Sequence, residues 1–210
     1  MFGLFIPGRM LVSFDIYNMF PAPVIVGQYE DAKSIQEKVI PKFKEYEEQV
    51  ECKNYWHGGY TSFGTDEGVL YWDECKELID FIGNSVASFH GHCGLKGNVA
   101  LQNSWFSINR KHALHEKHNH LPSTWSGVYY VQCDDDDPGI TFVNKHFDSN
   151  WPYCERVEPS ELNSAVNTLQ PSTGTLIVFP SYMDHKVEQQ TSDNERITIA
   201  FNFGVINEQN

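Results

Sequence analysis

Apolar positions along this chain fall into two regimes. In the first half they are sparse or recur at helical spacing. A short strand is expected at Val24–Val26, after the turn formed by Pro21 and Pro23. A polar helix then runs from about Asp31 to Glu48, with Pro41 kinking it or splitting it in two. A second helix opens at Asp73 as N-cap. Leu78, Phe81, Ile82, Val86 and Phe89 recur along it up to a stop at Gly91 and Gly94, and this stripe reads as core packing. From about Asn98 the pattern changes to short runs of β-branched and aromatic residues. These are Val99–Asn109, with a bend toward His120, then Thr124–Cys133, Ile140–Val143, Thr175–Phe179 and Arg196–Phe203. Turn-forming stretches such as Asp134–Gly139 and Ser172–Gly174 separate them. Weaker strand signals lie at Tyr153–Val157 and Lys186–Gln189. Six to eight short strands with few helical patterns between them predict a mainly β fold, an antiparallel barrel or jelly roll with the helices outside.

Composition narrows this picture. The chain has 210 residues, 40% hydrophobic and 14% aromatic, enough to bury a core without disulfides. No repeat or linker divides it, so one domain is expected over residues 1–210, with a helical flank of about 1–97 and a β core of about 98–207. A formal charge of −13 speaks against general nucleic-acid binding, which needs clustered Lys and Arg. The five cysteines (Cys52, Cys75, Cys93, Cys133, Cys154) are scattered, with no Cys-x-x-Cys pair, and suit reduced thiols. The apolar start Met1–Phe5 is short, interrupted by Gly3 and Pro7, and lacks a small-residue cleavage site after it. It does not read as a signal peptide. No apolar run is long enough to span a bilayer. The expected setting is cytoplasmic, without membrane attachment; the oligomeric state, a homodimer included, stays open.

Candidate chemistry concentrates in histidines. His112, His115, His118 and His120 fall in one segment, and His185 lies far along the chain. Period two would put His118 and His120 on one face of a strand, where two imidazoles converge on one ion. Neutral imidazole suits Fe(II), Zn and Cu. His185, after the run Leu176–Phe179 and the pair Pro180-Ser181, is placed for a third ligand at a barrel mouth. His57, His90, His92 and His146 read individually as surface or hydrogen-bonded residues.

The segment His118-Asn-His-Leu-Pro-Ser-Thr-Trp-Ser-Gly-Val-Tyr-Tyr-Val131 resembles the iron-binding region of a family of small 2-oxoglutarate-Fe(II) oxygenase-like proteins. The stretch Gly174-Thr-Leu-Ile-Val-Phe-Pro-Ser181, then His185, then Glu195-Arg-Ile-Thr-Ile-Ala-Phe-Asn-Phe203 matches in order and spacing. The resemblance covers about residues 98–204. It implies a double-stranded β-helix with a facial metal triad and open positions for 2-oxoglutarate and O₂. It places His118 as first ligand and His185 as distal ligand, with Arg196 gripping the far carboxylate of 2-oxoglutarate through its bidentate fork. Thr198 would add a hydroxyl to the same carboxylate, and Tyr130 is a further candidate for that pocket beside its reading as a core aromatic. One departure stands out: the family superfold carries a carboxylate where this chain has His120. Direct ligation by His120 is the favoured reading, against a carboxylate from Glu116 or water filling the gap.

The resemblance thus implies an Fe(II)- and 2-oxoglutarate-dependent hydroxylase, its catalytic residues His118, His185 and Arg196, acting on an unidentified substrate. Trp105, Trp125 and Tyr129 read as core packing rather than pocket lining. The alternatives are a three-histidine cupin-type dioxygenase or zinc site that does not use 2-oxoglutarate, both leaving Arg196 without a role, and a non-catalytic jelly-roll binding protein.

Overall fold

Period-two alternation along the long strands sorts side chains to two sides of a central sheet, and that sorting organises the molecule. The computed structural model describes residues 2–3, 13–14, 20–53, 58–145, 155, 158, 160 and 163–206. Its strands are β1 (Phe2–Gly3), β2 (Ser13–Phe14), β3 (Ile25–Gln28), β4 (Gly59–Thr61), β5 (Asn98–Asn109), β6 (His115–His118), β7 (Trp125–Gln132), β8 (Ile140–Val143), β9 (Val166–Leu169), β10 (Thr175–Pro180), β11 (His185–Val187) and β12 (Arg196–Ile206). The helices are α1 (Ala32–Gln49) and α2 (Lys76–His92).

Two antiparallel sheets carry the fold. The larger runs in the order β3-β10-β7-β12-β5-β4 and the smaller in the order β6-β11-β8-β9, while β1 and β2 pair separately. On β12, Ile197, Ile199, Phe201 and Phe203 face one core with Tyr129, Val131, Leu176 and Val178. Helices α1 and α2 cover that side, adding Ile35, Val39 and Phe43 from one and Leu78, Ile82, Val86 and Phe89 from the other. Phe43 stacks on Phe106 at 4.1 Å between ring centroids. Residues of opposite parity, Tyr130, Ile177 and Phe179, turn inward and meet Ile140 and Phe142 of the smaller sheet. Gly127 lies on β7 in phase with Tyr129, where a Cβ would collide with the Phe201 ring of the helix-side core and with the Ile177 carbonyl oxygen.

Several expectations are corrected in detail. Helix α1 continues through Pro41 without splitting, and Asp31 caps it by accepting from the Ser34 amide at 3.4 Å. The N-cap of α2 is Cys75, not Asp73. Asp73 opens a preceding 3-10 turn, and its carboxylate pairs with the Lys76 ammonium at 2.9 Å. Strands β3 and β4 form both edges of the larger sheet, so residues before Asn98 contribute more than helices. β9 and β4 carried too little apolar contrast to be expected: β9 exposes most of its length, and β4 is three residues long. The signal at Tyr153–Val157 lies outside the described residues, apart from Glu155, as do Cys154, His57 and His146.

An ion network fastens α1 to the sheet. The Arg110 guanidinium spans Glu47 (2.7 Å) and Glu195 (2.9 Å), and Lys44 reaches Glu195 at 2.6 Å. Glu195 directly precedes the first residue of β12, so this network holds the strand end from which Arg196 projects.

Candidate metal centre

Three imidazoles converge at the open end between the sheets. His118 ends β6 and His185 begins β11, and these residues face each other in the antiparallel register. His120 joins them, and one ring nitrogen from each of the three lies within 4.8 Å of the others. Ring centroids stand 4.4 Å apart for His118 and His185, 4.9 Å for His118 and His120, and 5.1 Å for His120 and His185. The same three histidines expected from the sequence come together, by a different route. His120 is not on a strand: β6 ends at His118, and His120 sits in the following loop. Its backbone N–H donates to the Ser181 carbonyl at 2.9 Å, and Ser123 N–H returns to the His120 carbonyl at 3.0 Å. Glu116 is outside the cluster: its backbone carbonyl serves the His118 ring, and its side chain is not grouped with the three histidines.

Second contacts set which nitrogen each ring offers. His118 Nδ1 lies 2.7 Å from the Glu116 carbonyl and His185 Nδ1 lies 3.0 Å from the Met183 carbonyl. A carbonyl only accepts, so both Nδ1 atoms carry protons and both Nε2 lone pairs are left for a ligand. Burial holds the His185 ring down to a pKa of about 4, against a raising contribution from the Met183 carbonyl. The His120 ring is pushed down to about 3, by burial first and then by the neighbouring His185 and His118. Both rings are therefore neutral at pH 7, the form that coordinates metal.

Behind the cluster lies a cavity of ≈80 Å³. Among the described residues Arg196 is its single charged lining residue, and no carboxylate lines it. Arg196 is 1% exposed, and its Nε and Nη2 have no hydrogen-bond partner among the described residues. A buried unpaired guanidinium is costly, and a carboxylate matching its fork is the natural complement. Thr198 and Tyr130 line the same cavity, and burial raises the Tyr130 phenol above its ordinary range. Trp105 also lines it, unlike Trp125 and Tyr129, which pack on the helix side as expected. A wider groove of ≈750 Å³ opens outward and shares Trp105, His118 and His120 with the inner cavity.

His115 was not singled out among the clustered histidines. It lines both cavities, and its Nε2 lies 2.9 Å from Asn109 Oδ1, while Asn109 Nδ2 donates to the Arg196 carbonyl at 3.4 Å. Burial, then Arg196, pushes the His115 ring well below the ordinary histidine range. Period two puts His115 on the face of β6 opposite to His118, so the sequence carried no signal for its place here. His90 is a core residue accepting from the Trp125 indole at 3.1 Å, and His112 and His92 are exposed and outside the cluster.

Two antiparallel sheets closing around a histidine cluster define a double-stranded β-helix protein with a candidate three-histidine centre. Residues 103–202 match the family model described as "Putative 2OG-Fe(II) oxygenase". That segment of the chain, just under half of its length, is thus similar to 2OG-Fe(II) oxygenases. Among solved structures it is similar to HygX from Streptomyces hygroscopicus with nickel and 2-oxoglutarate bound, at 10% identity and a TM-score of 0.58, covering 88% of this chain and 83% of that one. It is also similar to a prolyl-4-hydroxylase from Pseudomonas putida, at 13% identity and 0.61, covering 89% and 94%. The epimerase SnoN from nogalamycin biosynthesis gives 9% identity and 0.63, covering 88% and 77%. At these identities the likeness is one of fold. No curated protein matches the sequence. No described helix is long and apolar enough to cross a membrane.

Proposed function

We propose that this protein is an Fe(II)- and 2-oxoglutarate-dependent hydroxylase whose metal ligands are His118, His120 and His185. The observation that carries the reading is the pairing of three converging imidazoles with a buried, unpartnered Arg196 fork in the adjoining cavity. The residues present fit both groups. Neutral nitrogen donors suit Fe(II), and a fixed fork suits a carboxylate. When bound, iron with 2-oxoglutarate and O₂ supplies the oxidising power that converts a substrate C–H bond to C–OH, as 2-oxoglutarate becomes succinate and CO₂.

The chain's own residues do the rest. The Glu116 and Met183 carbonyls hold His118 and His185 in the tautomer that presents Nε2 inward. Arg196, assisted by the Thr198 hydroxyl and the Tyr130 phenol, receives the distal carboxylate and orients the cosubstrate. Val128, Ile140, Phe179 and Val187 keep water from that pocket. The outer groove admits the substrate against Trp105 and His120. A cluster of three neutral imidazoles leaves a divalent ion more positive than a carboxylate-containing triad would, which strengthens its hold on a dianionic cosubstrate. The chain acts as a single domain in this reading, and its reduced cysteines suit the cytoplasm.

Anaerobic titration of metal-free protein with Fe(II) and 2-oxoglutarate tests the proposal. A visible charge-transfer band is expected in the wild type, lost in His185→Ala and weakened in Arg196→Ala. Tight metal binding with no band in any protein would instead favour a three-histidine dioxygenase or zinc site that does not use 2-oxoglutarate.

A further inference from the structure

His120 is the one member of the cluster that no sheet ladder holds, so something else must set its ring. Its backbone hangs on Ser181, whose carbonyl accepts the His120 N–H at 2.9 Å and whose own N–H donates to the Thr124 carbonyl at 3.1 Å. Ser181 is fully buried, and its hydroxyl lies 2.7 Å from Ser126 Oγ on β7. Ser126 Oγ lies 2.7 Å from Asn202 Oδ1 on β12. Asn202 Nδ2 donates to Asn103 Oδ1 on β5 at 2.8 Å, and Asn103 Nδ2 donates to the Glu67 carboxylate at 3.0 Å.

This chain has a defined direction. A carboxylate only accepts, so Glu67 fixes the Asn103 amide with its nitrogen outward. That orientation fixes Asn202, whose oxygen then faces Ser126 and requires it to donate its single proton. With that proton used, the Ser181 hydroxyl must donate to Ser126. Every donor points the same way, toward Glu67, and bonds so aligned polarise and strengthen one another in a buried setting. Five residues from the Glu67 loop, β5, β12, β7 and the end of β10 thus converge on the carbonyl that holds His120.

We propose that Glu67, Asn103, Asn202, Ser126 and Ser181 are positioning residues that hold His120 in the metal centre. The chain replaces the strand pairing that secures His118 and His185. The proposal rests on the reading of His120 as a metal ligand. Outer contacts of this kind change metal affinity by about 10–100-fold when removed.

Cobalt(II) affinity of the metal-free protein, measured by chelator competition, and the visible d–d spectrum of the bound ion test it. Ser126→Ala lowers the affinity by about 10-fold or more and shifts the d–d bands, with the far-UV dichroism of the folded protein retained. In a His120→Ala background, Ser126→Ala adds no further loss, because the ring it positions is gone. Should Ser126→Ala not fold, Glu67→Ala at the far end of the chain carries the same cycle, and Glu67→Gln, which keeps an acceptor, restores the spectrum. Equal losses in both backgrounds would overturn the proposal in favour of general structural support, as would no loss in the wild type. A His120→Ala protein that binds cobalt(II) as tightly as wild type also overturns it, and locates the failure in the ligand assignment itself.

Discussion

The two faces of the larger sheet are built from the same strands and follow different physics. On the helix side, Ile197, Ile199, Phe201, Leu176, Val178 and Tyr129 interlock with α1 and α2 in a continuous apolar layer. One residue out of phase, Arg196, Thr198, Tyr130 and Ser107 line a cavity beside three histidines. The first face gains stability by excluding water. The second buries a guanidinium without a partner and desolvates rings that water would protonate more readily. Alternation at period two lets one strand serve both ends without compromise, because a side chain on one face scarcely feels its neighbour on the other.

Breaking the packed face should have the largest effect. Phe43→Ala removes a fully buried ring stacked on Phe106 and is expected to cost about 3–5 kcal/mol of stability. Urea unfolding measures that loss, and cobalt(II) affinity at a temperature where the variant is folded should stay near the wild-type value. The cavity face should respond in the opposite sense. Arg196→Met replaces a buried unpaired charge by an apolar chain of similar length, so the unliganded protein should be stabilised, by up to about 1–4 kcal/mol. Calorimetry would show the higher unfolding temperature, while isothermal titration in the presence of metal would show 2-oxoglutarate binding lost. An unfolding temperature below wild type would mean that Arg196 already has a stabilising partner.

The depressed histidines add a pH signature. His120 and His185 have folded pKa values of about 3 and about 4. Their unfolded values lie near 6.5, so the unfolded chain binds more protons between those limits. Stability of the metal-free protein should therefore fall as pH drops from about 6.5 toward 4, each ring contributing a slope of up to about 1.4 kcal/mol per pH unit. In His120→Ala the slope should flatten, which acid-dependent thermal melts would record. The smallest effect belongs to the surface. Glu47→Gln weakens the fork of Arg110 but should cost no more than about 1 kcal/mol, since partly exposed ion pairs are screened.

Legibility followed the same division. The apolar stripe of α2 and the strand runs β5, β7, β8, β10 and β12 could be read along the chain because each buries a periodic face, and burial imposes the period. The three histidines and Arg196 were legible through their motif contexts. What could not be read was the means of assembly. His120 reaches the centre from a loop, and Ser181, Ser126, Asn202 and Glu67 show no spacing signal, since their bonds cross between 36 and 99 positions of sequence. Short or exposed strands such as β4 and β9 owe their existence to a neighbour's edge rather than to their own composition. Asp73 has an N-cap residue type, yet a 3-10 turn intervenes and moves the helix start to Lys76.

By itself the sequence determined which faces would be apolar, that the second half would be β-structured, and which residue types were available to bind metal and anion. Those properties are local: side-chain alternation and hydrophobicity travel with the residue. Tertiary structure alone decided that His185 would stand opposite His118, that His120 would be held from Ser181, and that Arg196 would be sealed in without a partner. Each of these depends on strand register and on contacts between distant segments, where a slip of one residue would turn Arg196 to the helix side and empty the cavity of its charge.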